Sequence, residues 1–546
     1  GSGSLTKAGA GTLSLDAANT YTGATTISAG PVKLNINNAI GNSAVNLSVS
    51  GANLNLNGFN DTIGSLTGVA GTTVTLGAGT LTAGGNNTST TYSGVISGSG
   101  NIVKAGTGTM TLAGANTFLG TTEINTGTLS LSSANGLGSG VNQSSEITVA
   151  SGATLNFGFN AAFGNNTAII KVSGIGASGV GAVTSNANTA TITNNFTLEG
   201  NTTFGGANNY IINGVISDGG SGYNLTKIGA GTLSLGGSNT FTGATLINVG
   251  TLNLTNANAL GSGSNKSSSI TVAATGAALG LNFTTNTLAN DNDITLNGTG
   301  IASAGALVAS TSTDTLNNSI ILGSNTTIGG ASSMILNGTI TDNGNGFSLT
   351  KVGAGTTTLN AANTYSGGTT INTGTLNLLN ANALGTTGNI AVNNAAVLSF
   401  NLGGNTLANT NTITLSNTAG LTNTVAAGLI DTLENLIVLN GTHSITSSTS
   451  TAQLALTNNI TNSATALTFT GSGDTVVSGV IGNNTGGITK SGTGTLTFNN
   501  ANTYTGATSV TAGTLRITNT NALGGATGGT ISVGNSSTLS MNLSGN

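Results

Sequence analysis

The sequence contains no cysteine and no tryptophan, and it has one proline and one histidine among 546 residues. Without cysteine, no disulfide can stabilise the chain and no thiol chemistry is available. Charged residues make up 4% of the chain and aromatic residues 3%, which excludes a thick core built from large rings. Because the net charge is −4 and Arg516 is the single arginine, we expect no nucleic acid partner.

Long apolar runs are also missing. No stretch approaches the roughly 20 apolar residues that cross a bilayer, so we expect no membrane contact within this segment. No charged and apolar signal segment opens the chain. The opening GSGSLTKAG matches an internal GSGNIVKAG at residues 98–106, which indicates that residue 1 falls inside a repeat. We therefore expect an excerpt of a longer chain, with targeting and anchoring segments outside it.

What the sequence has in abundance is glycine, with 88 residues, and a single recurring stretch. This stretch runs from Leu5 to Ile36, LTKAGAGTLSLDAANTYTGATTISAGPVKLNI, and returns four more times. Self-similarity of this kind is typical of solenoid proteins, in which each repeat packs on its neighbours. One lysine marks each copy: Lys7, Lys104, Lys227, Lys351 and Lys490.

A shorter period lies inside each copy of the repeat. Leu13 and Leu15 reappear 19 residues later as Val32 and Leu34. The same spacing links Met110 to Leu129, Leu233 to Leu252, Leu359 to Leu378 and Leu496 to Leu515. Alternating apolar and polar residues predict strands with one buried face, and no stretch shows the 3.6-residue period of a helix. We predict an all-β fold, a single continuous parallel β-helix (β-solenoid) of roughly 22 to 29 coils.

Counting from six residues before each motif lysine divides the chain into five repeat modules. We predict module 1 at 1–97, module 2 at 98–220, module 3 at 221–344, module 4 at 345–483 and a truncated module 5 at 484–546. Because the motif is constant while module lengths differ, we assign extra coils to the variable half of each module. Pro31 replaces the threonine of the G-T-L-x-L strand in the first copy, and we expect a weaker or bulged coil there.

Several other positions recur once per module. An N-A-L-G-like turn follows the second G-T-L-x-L strand, as at residues 258–261. An asparagine stands at the bend between the two strands, where we expect its amide to bond the local turn and the asparagine of another coil. These asparagines are Asn19, Asn116, Asn239, Asn363 and Asn502. We interpret the repeat lysines as turn residues that keep a neutral sheet soluble and discourage lateral pairing.

One aromatic position follows each bend asparagine by two residues. It is occupied by Tyr21, Phe118, Phe241, Tyr365 and Tyr504. Because these rings recur once per module and not once per coil, we favour packing over the bend. A carbohydrate-binding platform is the alternative interpretation.

Patterns that would indicate catalysis or metal binding are weak. His443 has no G-x-S-x-G elbow to accompany it, which favours a surface or turn histidine. The run from Asp291 to Asp293 offers oxygen ligands for Ca²⁺, but without a twelve-residue loop and its later glutamate a solvated loop is favoured. The run from Gly219 to Asn224 resembles one unit of a calcium-binding repeat, yet it is not in tandem and is interpreted as a turn. We predict no catalytic residue, no metal and no cofactor.

The full motif K-x-G-x-G-T-L-x-L, then N-T-[Y/F]-[T/S]-G-x-T, then G-T-L-x-L resembles the autotransporter-associated β-strand repeat. This repeat is found in passenger regions of large exported proteins of Gram-negative bacteria. The resemblance implies a right-handed parallel β-helix, secretion through an outer-membrane barrel, and a place outside the cell or on its outer surface. Our leading hypothesis is a non-enzymatic structural rod that acts as a stalk, an adhesin or a subunit of an extracellular fibre.

Two other functional classes remain open. One is a polysaccharide-active enzyme on the same β-helix, and the other is a glycan-binding module. Loose acid candidates for an enzyme are Asp291, Asp293, Asp314, Asp342, Asp431 and Glu434. The partners we consider are a host or neighbouring-cell surface, a glycan, or further copies of the chain joined end to end or side by side.

Overall fold

The computed structural model describes residues 1–273, 276–283, 286–385, 387–462, 466–482, 485–524 and 528–543. It is an all-β parallel β-solenoid of about 24 turns, as predicted. Within the described residues, helix is limited to two three-residue 3-10 turns, Ala177–Gly179 and Ile301–Ser303. None of the described helices is long and apolar enough to span a membrane. The chain divides into two compact units, Gly1–Thr271 and Val272–Asn546.

Each repeat contributes four short strands, which we number by their order in the repeat. The first repeat strand spans Leu5–Lys7, Ile102–Lys104, Leu225–Lys227, Leu349–Lys351 and Ile488–Lys490. The second spans Leu13–Leu15, Thr109–Leu112, Thr232–Leu235, Thr356–Leu359 and Thr495–Phe498. The third spans Thr25–Ile27, Thr122–Ile124, Thr245–Ile247, Thr369–Ile371 and Thr508–Val510. The fourth spans Pro31–Leu34, Gly127–Leu131, Gly250–Leu254, Thr375–Leu378 and Gly513–Ile517.

The remaining strands belong to the variable halves of the modules, except Thr117–Phe118, which lies inside the repeat coil of module 2. In modules 1 and 2 they span Ala44–Leu47, Asn53–Asn55, Asp61–Ile63, Ser65–Gly68, Thr73–Thr75, Leu81–Ala83, Thr90–Tyr92, Val95–Gly98, Thr117–Phe118, Gly138–Ser139, Asn142–Gln143, Glu146–Val149, Ala153–Phe157, Ile169–Gly174, Val183–Ser185, Ala190–Ile192, Phe196–Phe204, Tyr210–Ile212 and Ile216–Ser217. In module 3 they span Gly261–Ser262, Asn265–Lys266, Ile270–Val272, Ala277–Leu281, Ile294–Gly298, Leu307–Ala309, Asp314–Leu316, Ile320–Gly330, Met334–Leu336 and Ile340–Thr341.

Modules 4 and 5 complete the set. Their strands outside the repeat coil span Ile390–Val392, Val397–Phe400, Ile413–Ser416, Gly420–Asn423, Ile430–Leu433, Ile437–Asn440, His443–Ser447, Gln453–Leu456, Ile460–Asn462, Leu467–Thr470, Asp474–Val477, Ile481–Gly482, Ile531–Val533 and Ser537–Met541. The predicted boundary between modules 4 and 5 falls on residues 483 and 484, which lie outside the described residues. The module boundaries therefore stay a prediction.

The third repeat strand stacks on the first, and the fourth stacks on the second, so each repeat forms a full coil. In the first copy Leu5 pairs with Thr25. All five predicted 19-residue pairs are confirmed: Leu13 with Val32, Met110 with Leu129, Leu233 with Leu252, Leu359 with Leu378, and Leu496 with Leu515. The register is specified because a slip of one residue would turn every inward side chain outward.

The predicted bulge at Pro31 is wrong. Its strand pairs without a register shift both with Leu13–Leu15 and with Asn53–Asn55. In the other copies the threonine at this position donates a long backbone hydrogen bond, of 3.3 to 3.5 Å, to a glycine carbonyl. Because this bond is weak, a proline that lacks the N–H group fits here at little cost.

Two features of the variable halves have no counterpart in the predicted pattern. A small antiparallel hairpin follows the N-A-L-G-like turn in modules 2 and 3, where Gly138 pairs with Gln143 and Gly261 pairs with Lys266. In the same two modules a long strand, Phe196–Phe204 or Ile320–Gly330, shifts register against the coil before it. The two variable halves therefore follow one plan.

Replacing a stacked inward leucine tests the coil register. Leu252 is fully buried against Leu233, so Leu252→Asp places an unpaired charge in the core and should destabilise the coil by more than about 4 kcal/mol. Hydrogen exchange of residues 232–254 should show the opening. As a control, Ser234→Asp on the outward side of the same coil should change the opening free energy by about 0.5 kcal/mol or less. Equal effects of the two changes would contradict the register.

Candidate functional site

The repeat lysine is the last residue of the first repeat strand, at an inward-facing position. Lys227 is fully buried, and its strand stacks on Thr245–Ile247 with Lys227 opposite Ile247. The alkyl part of a lysine can pack in an apolar core while its ammonium group reaches a polar site beyond it. The same position is buried in every copy, with 0 to 7% of the side chain exposed.

The ammonium group of each repeat lysine binds three backbone carbonyl groups. In module 3, Lys227 Nζ donates to the carbonyl oxygens of Ile228 at 2.8 Å, Gly229 at 2.7 Å and Val249 at 3.1 Å. Two of these carbonyls belong to the turn that follows the lysine, and the third belongs to the next coil. The other four lysines bind the three equivalent carbonyls. Since an ammonium group has three N–H donors, its hydrogen-bonding capacity is filled.

These contacts overturn our interpretation of the lysines as solubility residues in exposed turns. The K-x-G-x-G motif supplies the cation, the turn carbonyls and the tight turn that aims them at Nζ. Burial lowers the pKa of Lys104, Lys227 and Lys351 to about 8. Burial also lowers the pKa of Lys490. At pH 7 the ammonium form still prevails, and it holds two coils together through their backbones.

Glycine is required where the next coil approaches the lysine. Gly250 has φ of +78°, and a Cβ there would lie 2.2 Å from the Gly229 carbonyl oxygen and 2.7 Å from Lys227 Nζ. No other residue type has room at this point. The glycine of G-T-L-x-L is therefore part of the lysine site.

The bend asparagine joins three successive coils. The side-chain Oδ1 of Asn239 accepts a hydrogen bond from the Ile216 N–H at 2.8 Å, and its Nδ2 donates to the Ala259 carbonyl at 2.6 Å. Equivalent pairs of bonds surround the buried bend asparagines of modules 2, 4 and 5: Asn116, Asn363 and Asn502. In each case the carbonyl acceptor is the second residue of the N-A-L-G-like turn, so the two sequence signatures bind each other.

The predicted stacking of these bend amides on one another is therefore wrong, because each amide binds backbone groups. Amide ladders do occur on the outer surface. Asn337 donates to Asn317 at 2.8 Å, and Asn360 donates to Asn337 at 3.1 Å. These asparagines directly follow strands, and the sequence signal for them is a polar residue recurring one coil apart.

Packing of the recurring aromatic residue is confirmed in four modules. Phe118, Phe241, Tyr365 and Tyr504 are fully buried, so none of these rings can offer a face to a sugar. The Tyr365 hydroxyl makes a hydrogen bond of 2.6 Å with Thr369 Oγ1. Tyr21, in the first copy, is half-buried and makes the same contact with its own threonine at 2.9 Å.

Asp342 organises the glycine-rich loop that follows it at residues 343–347. Its buried carboxylate accepts hydrogen bonds from four backbone N–H groups, those of Gly344, Gly346, Phe347 and Ser366, at 2.8 to 3.1 Å. The Ser366 hydroxyl, in the next coil, donates a fifth at 2.7 Å. Burial alone would raise the pKa of Asp342, but the Ser366 hydroxyl and the N–H groups together lower it to about 2.

The equivalent loop of module 2 is built in the same way. The Asp218 carboxylate accepts from the N–H groups of Gly220, Gly222 and Tyr223, and from both the N–H and the hydroxyl of Thr242. The predicted turn begins directly after Asp218 and wraps around its carboxylate. An acid directly before a glycine-rich run was the available signal.

The other acid candidates are not brought together into one site. Asp314 and Asp431 are buried, whereas Asp291, Asp293 and Glu434 are exposed. Asp431 accepts backbone hydrogen bonds from Leu402 at 2.8 Å and Gly404 at 2.9 Å. Burial raises the pKa of Asp431. Among the residues described, no three histidine, cysteine or acidic side chains are grouped so that they could hold a metal ion.

The expectation that His443 lies on the surface is wrong. Its side chain is 2% exposed and faces inward from the first position of the strand His443–Ser447. Nδ1 makes a hydrogen bond of 3.0 Å with the Ala419 carbonyl oxygen, while Nε2 has no hydrogen-bond partner. A nucleophile or an orienting carboxylate is absent from these contacts, so this histidine is a core residue.

Two shallow grooves recur at equivalent places, one lined by residues of modules 2 and 3 and the other by residues of modules 3 and 4. The first has a volume of about 380 Å³ and is lined by residues that include Val180 and Gly206. The second has a volume of about 540 Å³ and is lined by their counterparts Ala304 and Gly330. Neither groove is lined by a charged residue, and the lining is mainly small and apolar.

A scan against protein-family models matches the passenger-associated-transport repeat at residues 5–33, 102–131, 225–254, 349–378 and 488–517. These five matches are the five copies of the lysine and asparagine coil. They are passenger-associated-transport repeats. Buried lysine and asparagine contacts hold these five repeats together.

One curated relative of this chain is an adhesin. The chain is 34% identical over 134 residues to the adhesin BmaC autotransporter of Brucella suis biovar 1 (strain 1330). The similarity covers 24% of this chain and 4% of the length of that relative. No solved structure matches the chain.

Removing the lysine tests the carbonyl site. Lys227→Gln retains at most two donors for three buried carbonyls and should destabilise the coil by about 1–3 kcal/mol. The measured quantity is the free energy of local opening, obtained from hydrogen exchange of residues 225–254. Lys33→Gln is the control, because Lys33 lies on the outward side of its strand, and it should have little effect. A Lys227→Gln coil as stable as the parent would contradict the role of the lysine.

The carboxylate loop predicts acid sensitivity. Because the pKa of Asp342 falls to about 2 from its usual 3.8, the stabilisation is present above pH 3.8 and is lost as the pH falls toward 2. Hydrogen exchange of residues 342–347 should therefore speed up in this range, after correction for intrinsic rates. Asp342→Asn should open the loop already at pH 7 and remove the pH response. Asp293→Asn, in an exposed loop, should leave the exchange rates of residues 342–347 and their pH dependence unchanged.

Proposed function

We propose that this chain is the rigid, non-enzymatic part of a surface or secreted passenger, and that it acts as an adhesin. The observation that carries the proposal is the 34% identity over 134 residues to an autotransporter adhesin, in a chain that carries five passenger-associated-transport repeats. The setting we propose is the outer surface of a Gram-negative cell or the extracellular space. Stalk and fibre-subunit roles are the alternatives within this class.

The distribution of charge supports a non-enzymatic role. The repeat lysines and the acids Asp218 and Asp342 direct their polar atoms mainly at backbone groups of their own and adjacent coils. In the described part of the chain, one ion pair occurs, between the partly exposed Lys171 and Glu146 at 2.8 Å. Glycoside cleavage commonly uses two acids that flank a shared substrate position. The two recurring grooves offer no such pair.

The proposed partner is an uncharged region of a host or neighbouring-cell surface, such as a neutral glycan. The recurring grooves combine small apolar side chains with serine, threonine and asparagine groups, and they carry no charge that would select an ionic ligand. An adhesin that repeats one weak site gains avidity from multiple contacts. The grooves are therefore the first place to test adhesion.

Binding of the purified chain to epithelial cells, to bacteria and to a neutral-glycan array tests this proposal. We expect saturable binding that falls at least several-fold in the double variant Ala207→Arg with Ala331→Arg, which fills both grooves. Thr226→Arg, on an outward strand position beside the first groove, is the matched control and should bind as the parent does. Both alanines are exposed, so the variants should fold.

The alternatives give different results in the same experiment. Absence of saturable binding to any of these surfaces, with single separate particles in electron microscopy, would support a stalk and contradict the adhesin. Ordered fibres of the purified chain would favour a fibre subunit. Turnover of a polysaccharide that is lost in Asp431→Asn would overturn the non-enzymatic proposal.

A further inference from the structure

Asp61 is a buried acid in the variable half of module 1 that none of the roles above explains. It begins the strand Asp61–Ile63, and 1% of its side chain is exposed. Its Oδ2 accepts a hydrogen bond of 3.0 Å from the Ile40 N–H, which belongs to the N-A-L-G-like turn of the preceding coil. Its Oδ1 is buried and has no hydrogen-bond partner. A buried carboxylate with half of its acceptors unfilled is costly in its charged form.

The same place in module 2 holds an asparagine. Strand pairing aligns Leu66 with Val45 and Ile170 with Ile147, the equivalent residue of module 2. Asp61 precedes Leu66 by five residues, as Asn165 precedes Ile170. Asn165 lies on the same turn, because its Nδ2 donates to the Leu137 carbonyl at 3.2 Å and to the Ser144 carbonyl at 2.9 Å.

Module 4 repeats the neutral arrangement. Asn409 Nδ2 donates to the carbonyl of Leu384, in the equivalent turn, at 2.8 Å. In both modules the amide supplies N–H donors to carbonyl groups of the turn. Ionised Asp61 has no donor to offer, and it gains one only when it takes up a proton.

The surroundings of Asp61 offer no cation. The strand Leu81–Ala83, which pairs with Asp61–Ile63, and the turn at residues 38–41 carry no titratable side chain. The titratable group that senses Asp61 is Tyr21, whose pKa is raised mainly by burial and further by the charge of Asp61. A negative charge here is therefore held by neighbouring backbone N–H groups, that of Ile40 at 3.0 Å foremost, and by no ion pair among the described residues.

We propose that Asp61 makes module 1 an acid-strengthened coil, in which proton uptake tightens the contact between the strand Asp61–Ile63 and the turn at residues 38–41. Modules with asparagine in this place lack the response. The protonated carboxyl resembles the amide of Asn165 in size and can donate to a carbonyl of the turn. The solenoid thus contains one coil that is looser at neutral pH than in acid.

The direction in which coil stability changes with pH follows from the difference in proton binding between the folded and the open coil. Burial raises the pKa of Asp61 to about 6, above its usual 3.8. Between these values the folded coil holds more protons than the open coil, so stability decreases as the pH rises from 3.8 to 6. Above pH 6 the coil stays at its lower stability. This sign is opposite to that of Asp342.

Local hydrogen exchange of the whole chain at pH 4.5 and pH 7 tests the proposal. After correction for intrinsic rates, the amides of Ile40 and of residues 61–63 should open on the order of 10-fold more often at pH 7. Asp61→Asn should abolish this difference and show the protected state at both values. Asp16→Asn, at an exposed acid of the same module, should keep the parent response.

A second variant should introduce the pH dependence of module 1 into module 2. Asn165→Asp should create the same pH dependence at residues 137 and 165–170 of module 2, without changing module 1. A parent coil that opens equally at both pH values, or an Asp61→Asn variant that retains the difference, would overturn the proposal. Because the readout is local, neither result depends on adhesion.

Discussion

Each coil of this solenoid shares its backbone hydrogen bonds with the coils on either side, and the space between the sheets is only a few side chains wide. A polar atom that points inward must therefore find its partner in the same coil or in an adjacent one. Lys227, Asn239 and Asp342 meet this requirement in three ways, as a donor, as a donor and acceptor, and as an acceptor. In all three cases most partners are backbone groups, and at least one of them belongs to an adjacent coil.

The coil itself could be predicted from the sequence because spacing alone specifies it. Leu233 and Leu252 are separated by one coil length, and alternation decides which residues face inward. The packing of the aromatic residue could be predicted as well. An aromatic residue stands at the position of Tyr365 once in every module, which is the pattern expected of a ring that packs at a bend. These are properties of periodicity, and periodicity is visible in a single chain.

The role of individual polar residues could not be predicted, because it depends on where the main chain passes. Because lysine is usually exposed, the sequence favours a turn position and a solubility role for Lys227. Lys227 is buried because three carbonyl groups from two coils bind its ammonium group. Their positions near Nζ depend on the path of the main chain, which the sequence does not reveal. The same holds for the contact of His443 with Ala419 and for that of Asp342 with Ser366, each of which joins residues 24 positions apart. Asp61 looks like an ordinary polar residue until its counterpart Asn165 is found through strand pairing.

The lysine and asparagine contacts are confined to the repeat coil and its immediate neighbours, whereas the variable halves differ in their number of coils. The repeat thus acts as a fixed joint between spacers of adjustable length. Whole coils can be gained or lost in a spacer through recombination between similar segments without disturbing a joint. A lineage carrying this solenoid could in this way change how far the chain extends from one joint to the next, while the residues that hold each joint together stay the same.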